Sequence, residues 1–151
     1  YRAAAFEHEA TANHKKKTVI KNKQAQVFLK TVTADENADV AYLKKALGSK
    51  AVAAPKVDFG STTASEASFI KTAVALENTG VHAYSGQALN ITTPSTVAAA
   101  LSILTIEARH ASVAGLLLKA PPGNITPDGP FDTPFTAAEV LKAVEGTGFL
   151  V

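Results

Sequence analysis

The chain has 151 residues, of which 46% are hydrophobic and 19% charged, with a formal net charge of +2. This length and composition predict one globular domain with a substantial core, and they exclude a disordered or fibrous protein. The charge is too small to indicate a nucleic-acid partner, and the apolar runs are too short to predict a membrane span. The sequence has no cysteine, which excludes disulfides and thiolate metal sites.

Two features favour a secreted protein. The sequence begins at Tyr1 and contains no methionine, which indicates a processed product, a fragment or a sequence whose start is not recorded. Removal of a signal peptide is one explanation. Glycosylation sequons of the Asn-Ile-Thr type begin at Asn90 and Asn124, and they matter only in a eukaryotic secreted protein. We therefore expect a secreted or extracellular location.

The first two predicted helices lie before residue 48. The alanine-rich residues 1 to about 13 predict a short first helix, and the basic run His14–Lys17 is interpreted as a solvated turn and helix start. A second helix is predicted from about Thr18 or Asn22 to residue 47, with Gly48 as its C-terminal cap.

A third helix is predicted after a loop over residues 49–62. Thr63 and Glu66 form a predicted capping box at its start, and it extends to about Ala88. Gly80 interrupts its apolar stripe and costs about 1 kcal/mol relative to alanine in a helix. A close helix contact beside Glu77 would explain that glycine.

The remaining chain predicts one long helix, an irregular tail and one short helix. The long helix spans about 93–118, with Thr93 as its cap and Pro94 at its first position. An irregular Pro/Gly-rich stretch covers residues 120–134. The last short helix spans about 136–145 and begins with a second capping box.

Acidic or histidine side chains occur on the apolar faces of three predicted helices. A carboxylate buried alone is costly, so these residues indicate mutual pairing, a metal ion or a proton-transfer site. One di-metal pattern in helical bundles takes a Glu from each of two helices and Glu-x-x-His from each of the other two. Glu107 and His110 fit Glu-x-x-His, Glu36 and Asp39 fit it with Asp in the His place, and Glu77 fits as a lone Glu, while the fourth contribution is missing. The candidate metal ligands are therefore Glu36, Asp39, Glu77, Glu107 and His110.

Four segments of the chain resemble the ferritin-like domain family that includes desiccation-related and stress-related secreted proteins. They are ADENADVAYLKKAL, FIKTAVALENTGVHAYSGQAL, IEARHASVAGLLL and FDTPFTAAEVLKAV, and the resemblance covers about residues 27–144. It implies an all-α fold, an up-down four-helix bundle with a short first helix. It also implies a single domain, with the bundle over about 1–118 and a Pro/Gly-rich tail over 119–151 that ends in a short helix.

The resemblance also carries over site residues. It implies an iron or manganese site in which the Glu and His positions of the family match four residues here, Glu36, Glu77, Glu107 and His110. Asp39 stands where the family has His. Residues 1–3 would belong to the second half of the family's first helix, which would leave its ligand-bearing half outside this sequence.

Three interpretations of the cluster stay open: a di-metal centre, a single metal ion, and a metal-free polar core with shared protons. Two functions follow from them. The first is a secreted structural or assembly subunit on a ferritin-like scaffold with a degenerate cluster and no cofactor. The second is a redox or metal-handling protein that uses iron or manganese. No catalytic residue is assigned.

Other polar residues are expected to be structural. Glu7, His8 and Glu9 cannot all point the same way on a helix, so no transition-metal site is expected there. Arg109 is expected to point outward, and His82 to lie at the surface or boundary.

The short first helix predicts an apolar groove along Phe28 and Ile70. Large exposed apolar patches commonly mark interfaces. We therefore expect the groove to be filled either by a segment upstream of this sequence or by a segment from a second copy. The second case predicts self-association as a homo-oligomer or a filament.

Overall fold

The computed structural model describes residues 2–119 and 125–151, except the side chain of Arg2. The described residues form five α-helices, which are α1 (Arg2–Lys17), α2 (Lys23–Leu47), α3 (Glu66–Gln87), α4 (Pro94–Leu117) and α5 (Ala137–Glu145). Short 3₁₀ segments follow α2 and α3. Within this part of the chain the β-type pairing is one antiparallel bridge between Val57 and Leu150. The predicted all-α class is confirmed.

The chain divides into two compact units. The first comprises Tyr1–Phe69 with Phe149–Val151, and the second comprises Ile70–Gly148. The first unit therefore holds α1 and α2, and the second holds most of α3 with α4 and α5.

Aromatic rings form the core of the first unit. Phe6 from α1 stacks on Phe69 with ring centroids 5.6 Å apart, and it meets the edge of Phe59 at 5.3 Å. Phe59 in turn contacts Phe149 at 5.1 Å, which brings the C-terminal residues into this core. Each ring is at most 8% exposed, so burial of large apolar surface and edge-to-face contacts stabilise the unit.

Helix α1 is longer than the sequence predicts. The basic residues His14–Lys17, which were expected in a turn, form its last turn. Cations are favourable there because the helix dipole places partial negative charge at the C-terminus. The helix ends at Lys17. The next residue, Thr18, donates its N–H to the His14 carbonyl at 2.7 Å, and its positive φ of 50° turns the chain out of the helix.

The predicted capping box at the start of α3 is wrong. Thr63 donates its hydroxyl hydrogen to Glu9 Oε1 at 2.7 Å. Glu66 Oε2 accepts the backbone N–H groups of Lys21 and Asn22 at 2.6 and 2.8 Å. Both side chains thus find partners in distant parts of the first unit, and Ser65 caps α3 instead by accepting the N–H of Ser68.

Local signals place the other helix ends well. Asn22 caps α2 by accepting the N–H of Gln24 at 2.8 Å, and Gly48 ends α2 with its N–H on Lys44. Pro94 occupies the first position of α4, although Thr93 makes no side-chain cap there. The capping box predicted for the last helix is present in full.

The second unit buries one face of α3 and one of α4. Its buried positions on these helices repeat at spacings of three and four, and they include Ala73 and Val81 on α3 and Ile103 and Ala114 on α4. The tail contacts the C-terminal part of α3, where the Phe135 N–H donates to the His82 carbonyl at 3.0 Å. Residues 120–124 of the predicted tail, including Asn124, lie outside the described residues.

The expected apolar groove along Phe28 and Ile70 is not exposed, since these side chains are only 5% and 3% exposed. That part of the prediction is wrong. The long apolar side chains of the described part of α4 that do face outward are Leu101, Val113 and Leu116, at 46%, 43% and 59% exposure.

Among the described residues, α4 is the one helix whose length and apolar composition would allow it to cross a membrane. Length and apolar composition are weak evidence for a membrane span, because the core helix of a soluble protein has the same properties. The helix also carries two buried ionisable side chains, Glu107 and His110. Transfer of such groups into a bilayer has an unfavourable free energy.

Candidate metal centre

Glu77 occupies the buried face of α3. Ala73, one turn earlier, and Val81, one turn later, are 0% and 2% exposed, and Glu77 itself is 0% exposed. Helical periodicity therefore places a carboxylate in the middle of an apolar stripe. A carboxylate buried in such a place is stable only if a proton or a cation neutralises its charge or strong hydrogen bonds stabilise it.

Glu107 and His110 occupy the buried face of α4. They are separated by three residues, which places their side chains on the same side of the helix. They are 7% and 9% exposed, and Ala111 and Ala114 continue the buried face. The small alanines leave room for the larger polar side chains between the helices.

The structure brings these three predicted ligands together. His110 Nδ1 lies 3.2 Å from Glu77 Oε2. One ligand atom from each of Glu77, Glu107 and His110 lies within 4.8 Å of the other two.

The second oxygen of Glu77 supports the same interpretation. Glu77 Oε1 is buried and accepts no hydrogen bond within the described residues. A buried acceptor left unsatisfied is unfavourable by about 1–3 kcal/mol, and coordination of a cation would relieve that. Carboxylate oxygens with an imidazole form a donor set that suits iron and manganese. The residues present therefore fit a metal ion.

Close packing next to this group confirms the expected helix contact at Gly80. A Cβ atom at this position would lie 2.8 Å from Glu107 Oε2 and 3.0 Å from its Cδ. Real Cβ atoms essentially never approach other atoms so closely. The Glu107 carboxylate therefore lies against the bare backbone of α3.

The other two predicted ligands belong to the first unit. Glu36 is buried on α2, at 6% exposure, in line with the buried residues Val32 and Phe28. Asp39, three residues later, is half-buried. The assignment of Glu36 and Asp39 to the metal site, which rests on the sequence pattern, stays a prediction.

One buried acid was missed by the sequence reasoning. Glu7 on α1 is 0% exposed, whereas its neighbour His8 is exposed. The expectation that Glu7, His8 and Glu9 point in different directions is confirmed, but one of these directions places Glu7 in the core. The available signal was spacing, because Glu7 lies three residues before the buried Ala10 and one after the buried Phe6.

Arg109 is exposed, as predicted, and His82 is half-buried at the boundary. His82 anchors the tail: Nδ1 donates to the Thr133 carbonyl at 2.8 Å, and its ring stacks on Phe135 with centroids 4.4 Å apart. Asp128 Oδ2 lies 3.7 Å from Nδ1 and accepts the Thr133 N–H at 2.7 Å. Hydrogen bonds from Thr133, assisted by the charge of His82, hold the pKa of Asp128 below its ordinary value.

The chain was matched to a known protein family. The family described as "Ferritin-like domain" matches residues 1–120. Comparisons with curated proteins and with solved structures find no match.

Proposed function

This chain belongs to the ferritin-like domain family, and from that premise we propose that it is a metal-handling protein that binds iron or manganese between α3 and α4. The observation that carries the proposal is the buried group of Glu77, Glu107 and His110, whose ligand atoms lie within 4.8 Å of one another. The unsatisfied Oε1 of Glu77 supports it, because a cation is the natural partner for a buried carboxylate oxygen.

Each residue has a distinct part in holding the ion. Glu77 and Glu107 would supply carboxylate oxygens from α3 and α4, and His110 would supply an imidazole nitrogen; its Nδ1 lies 3.2 Å from Glu77 Oε2. Hydrogen bonding of a ligating histidine to a carboxylate fixes its ring orientation and raises its basicity. Glu36 is proposed as a further carboxylate ligand on the basis of the sequence pattern and its burial. A bound iron or manganese ion supplies Lewis acidity and, for iron, one-electron chemistry.

Elemental analysis of the native protein, together with titration of the metal-free protein with Mn²⁺, tests this function. Glu107→Ala and His110→Ala should each lower the manganese affinity strongly, because each removes a ligand. Glu145→Ala is the matched control, since Glu145 is an exposed acid at the end of α5 and its removal should leave the affinity unchanged.

Thermal unfolding gives an independent measurement. A ligand that binds only the folded state at 100 times its Kd stabilises it by about 2.7 kcal/mol. A chelator should therefore lower the Tm of the metal-loaded protein and leave that of Glu107→Ala unchanged. A native protein that contains no metal, binds no Mn²⁺ and melts at the same temperature with and without chelator would remove this function.

A second function, a secreted structural or assembly subunit, is favoured by the outer face of α4. Leu101, Val113 and Leu116 are exposed and fall within a sector of about 120° around the helix, because each residue advances by about 100°. Exposed apolar surface of this kind marks interfaces. Light scattering should show an oligomer that Leu116→Lys dissociates, whereas Lys71→Ala, a change at an exposed polar position on α3, should leave it intact.

Secretion is part of the second proposal. Asn90, the first residue of one sequon, is exposed at the end of the 3₁₀ segment after α3, as an acceptor of a glycan must be. Protein isolated from its native source should shift in mass on deglycosylation, and Asn90→Gln should reduce that shift.

A further inference from the structure

Gly80 stands out because a glycine in this position disfavours the helix that contains it. It lies well inside α3, which runs from Glu66 to Gln87, and its φ is outside the left-handed region that favours glycine. In a helix interior glycine is less favourable than alanine because it loses more backbone entropy on folding. Backbone conformation therefore does not explain why position 80 is a glycine. The lack of room for a side chain at this position does.

The space beside Gly80 is occupied by the Glu107 side chain. The three heavy atoms nearest to a Cβ built at this position are Glu107 Oε2, Cδ and Cγ, at 2.8, 3.0 and 3.5 Å. Gly80 is also three residues after Glu77, so it shares the face of α3 that presents Glu77. A methyl group there would push the Glu107 carboxylate away from the place where it approaches Glu77 and His110.

We propose that Gly80 is a positioning residue of the metal centre: the missing side chain admits the Glu107 carboxylate against α3 and so holds it within reach of the ion. This inference rests on the proposed metal-binding function. The displaced atoms would be the end of a flexible side chain and not backbone. Alanine at this position therefore moves a ligand without preventing the helices from packing.

Gly80→Ala should consequently separate folding from binding. The metal-free variant should keep its helical circular dichroism and melt at the wild-type temperature or above, because alanine favours the helix. Its affinity for Mn²⁺, measured by calorimetry on the full chain, should fall about 10- to 100-fold, as when a supporting group of a metal site is removed.

A double-mutant cycle shows whether Gly80 acts through Glu107. In the Glu107→Ala background, Gly80→Ala should have no further effect on Mn²⁺ affinity, because the carboxylate that it displaces is gone. In the Gly80→Ala background, Glu107→Asp should recover part of the affinity, because the shorter side chain withdraws from the new methyl group.

The possible results are distinct. Wild-type Mn²⁺ affinity in Gly80→Ala, or an equal loss with and without Glu107, would overturn the positioning role while the metal-binding function stands. A wild-type protein that binds no Mn²⁺ would overturn the proposed function, and the inference with it. A large fall in the Tm of the metal-free variant would show that Gly80 serves packing, which also overturns the inference.

Discussion

Gly86 and Phe135 are in contact through their backbones. A Cβ atom at Gly86 would lie 1.8 Å from the Phe135 carbonyl oxygen and 2.5 Å from its carbonyl carbon. The Phe135 N–H also donates to the His82 carbonyl one turn earlier on α3. The tail therefore crosses the last turn of α3 at a distance that only glycine permits.

Gly86→Ala should destabilise the protein, because the clashing atoms belong to the backbone and cannot rotate away. Overpacking of this kind typically destabilises by about 1–3 kcal/mol, which chemical denaturation can measure. Gly80→Ala is the matched control, as it makes the same change in the same helix against a flexible side chain. Equal stability of the two variants would show that the tail does not lie against Gly86 in solution.

Docking of the tail should weaken in acid. Hydrogen bonds from Thr133 lower the pKa of Asp128 from 3.8, and hydrogen bonds from Thr136 lower the pKa of Glu139 from 4.5. A carboxylate whose pKa is lower in the folded state contributes stability that is present above its unfolded pKa and is lost as the pH falls through the folded value. Protection of the tail against hydrogen exchange should hold above about pH 5 and decline below about pH 4.

Charge removal provides the control for that pH dependence. With Asp128→Asn and Glu139→Gln combined, protection should be lower near neutral pH and nearly constant between about pH 3 and 6, because neither group then titrates in that range. A wild-type profile that stays flat over the same range would argue against the role of these carboxylates.

Glu77→Gln should reduce metal binding without unfolding the protein. The two side chains have the same shape, but the amide carries no charge and coordinates a cation poorly. The amide oxygen keeps an acceptor beside His110 Nδ1, so the metal-free variant should stay folded, while its Mn²⁺ affinity should fall at least about tenfold. Unchanged affinity in this variant would exclude Glu77 from the site.

Glu66→Ala should destabilise the first unit. Glu66 Oε2 accepts the N–H groups of Lys21 and Asn22, which are exposed, so water can replace the lost acceptor and the variant should lose about 1 kcal/mol of stability. Glu66→Gln keeps a carbonyl oxygen as acceptor and should lose less. Ser65→Ala measures the local cap of α3 separately and should cost about 1 kcal/mol. Wild-type stability in Glu66→Ala would show that the long-range contact contributes nothing measurable.

Sequence alone determined those parts of the fold that depend on neighbours a few residues away. Gly48 ends α2, Pro94 begins α4, and the capping box before α5 forms as predicted, because each signal acts within one helical turn. Apolar spacing also identified Glu77, Glu107 and His110 as inward-facing, since periodicity within one helix decides which side of it is buried.

Tertiary structure decided the rest, where a residue had to choose between a local and a distant partner. Thr63 and Glu66 have the spacing of a capping box, yet they bind Glu9 and the start of α2, which lie 54 and about 45 residues away in the chain. The complete burial of Glu7 and the fit of Glu107 against Gly80 likewise depend on which helix packs opposite. A single hydrogen bond or contact has a similar free energy whether its partner is near or far in sequence, so only the packed chain decides which partner is reached.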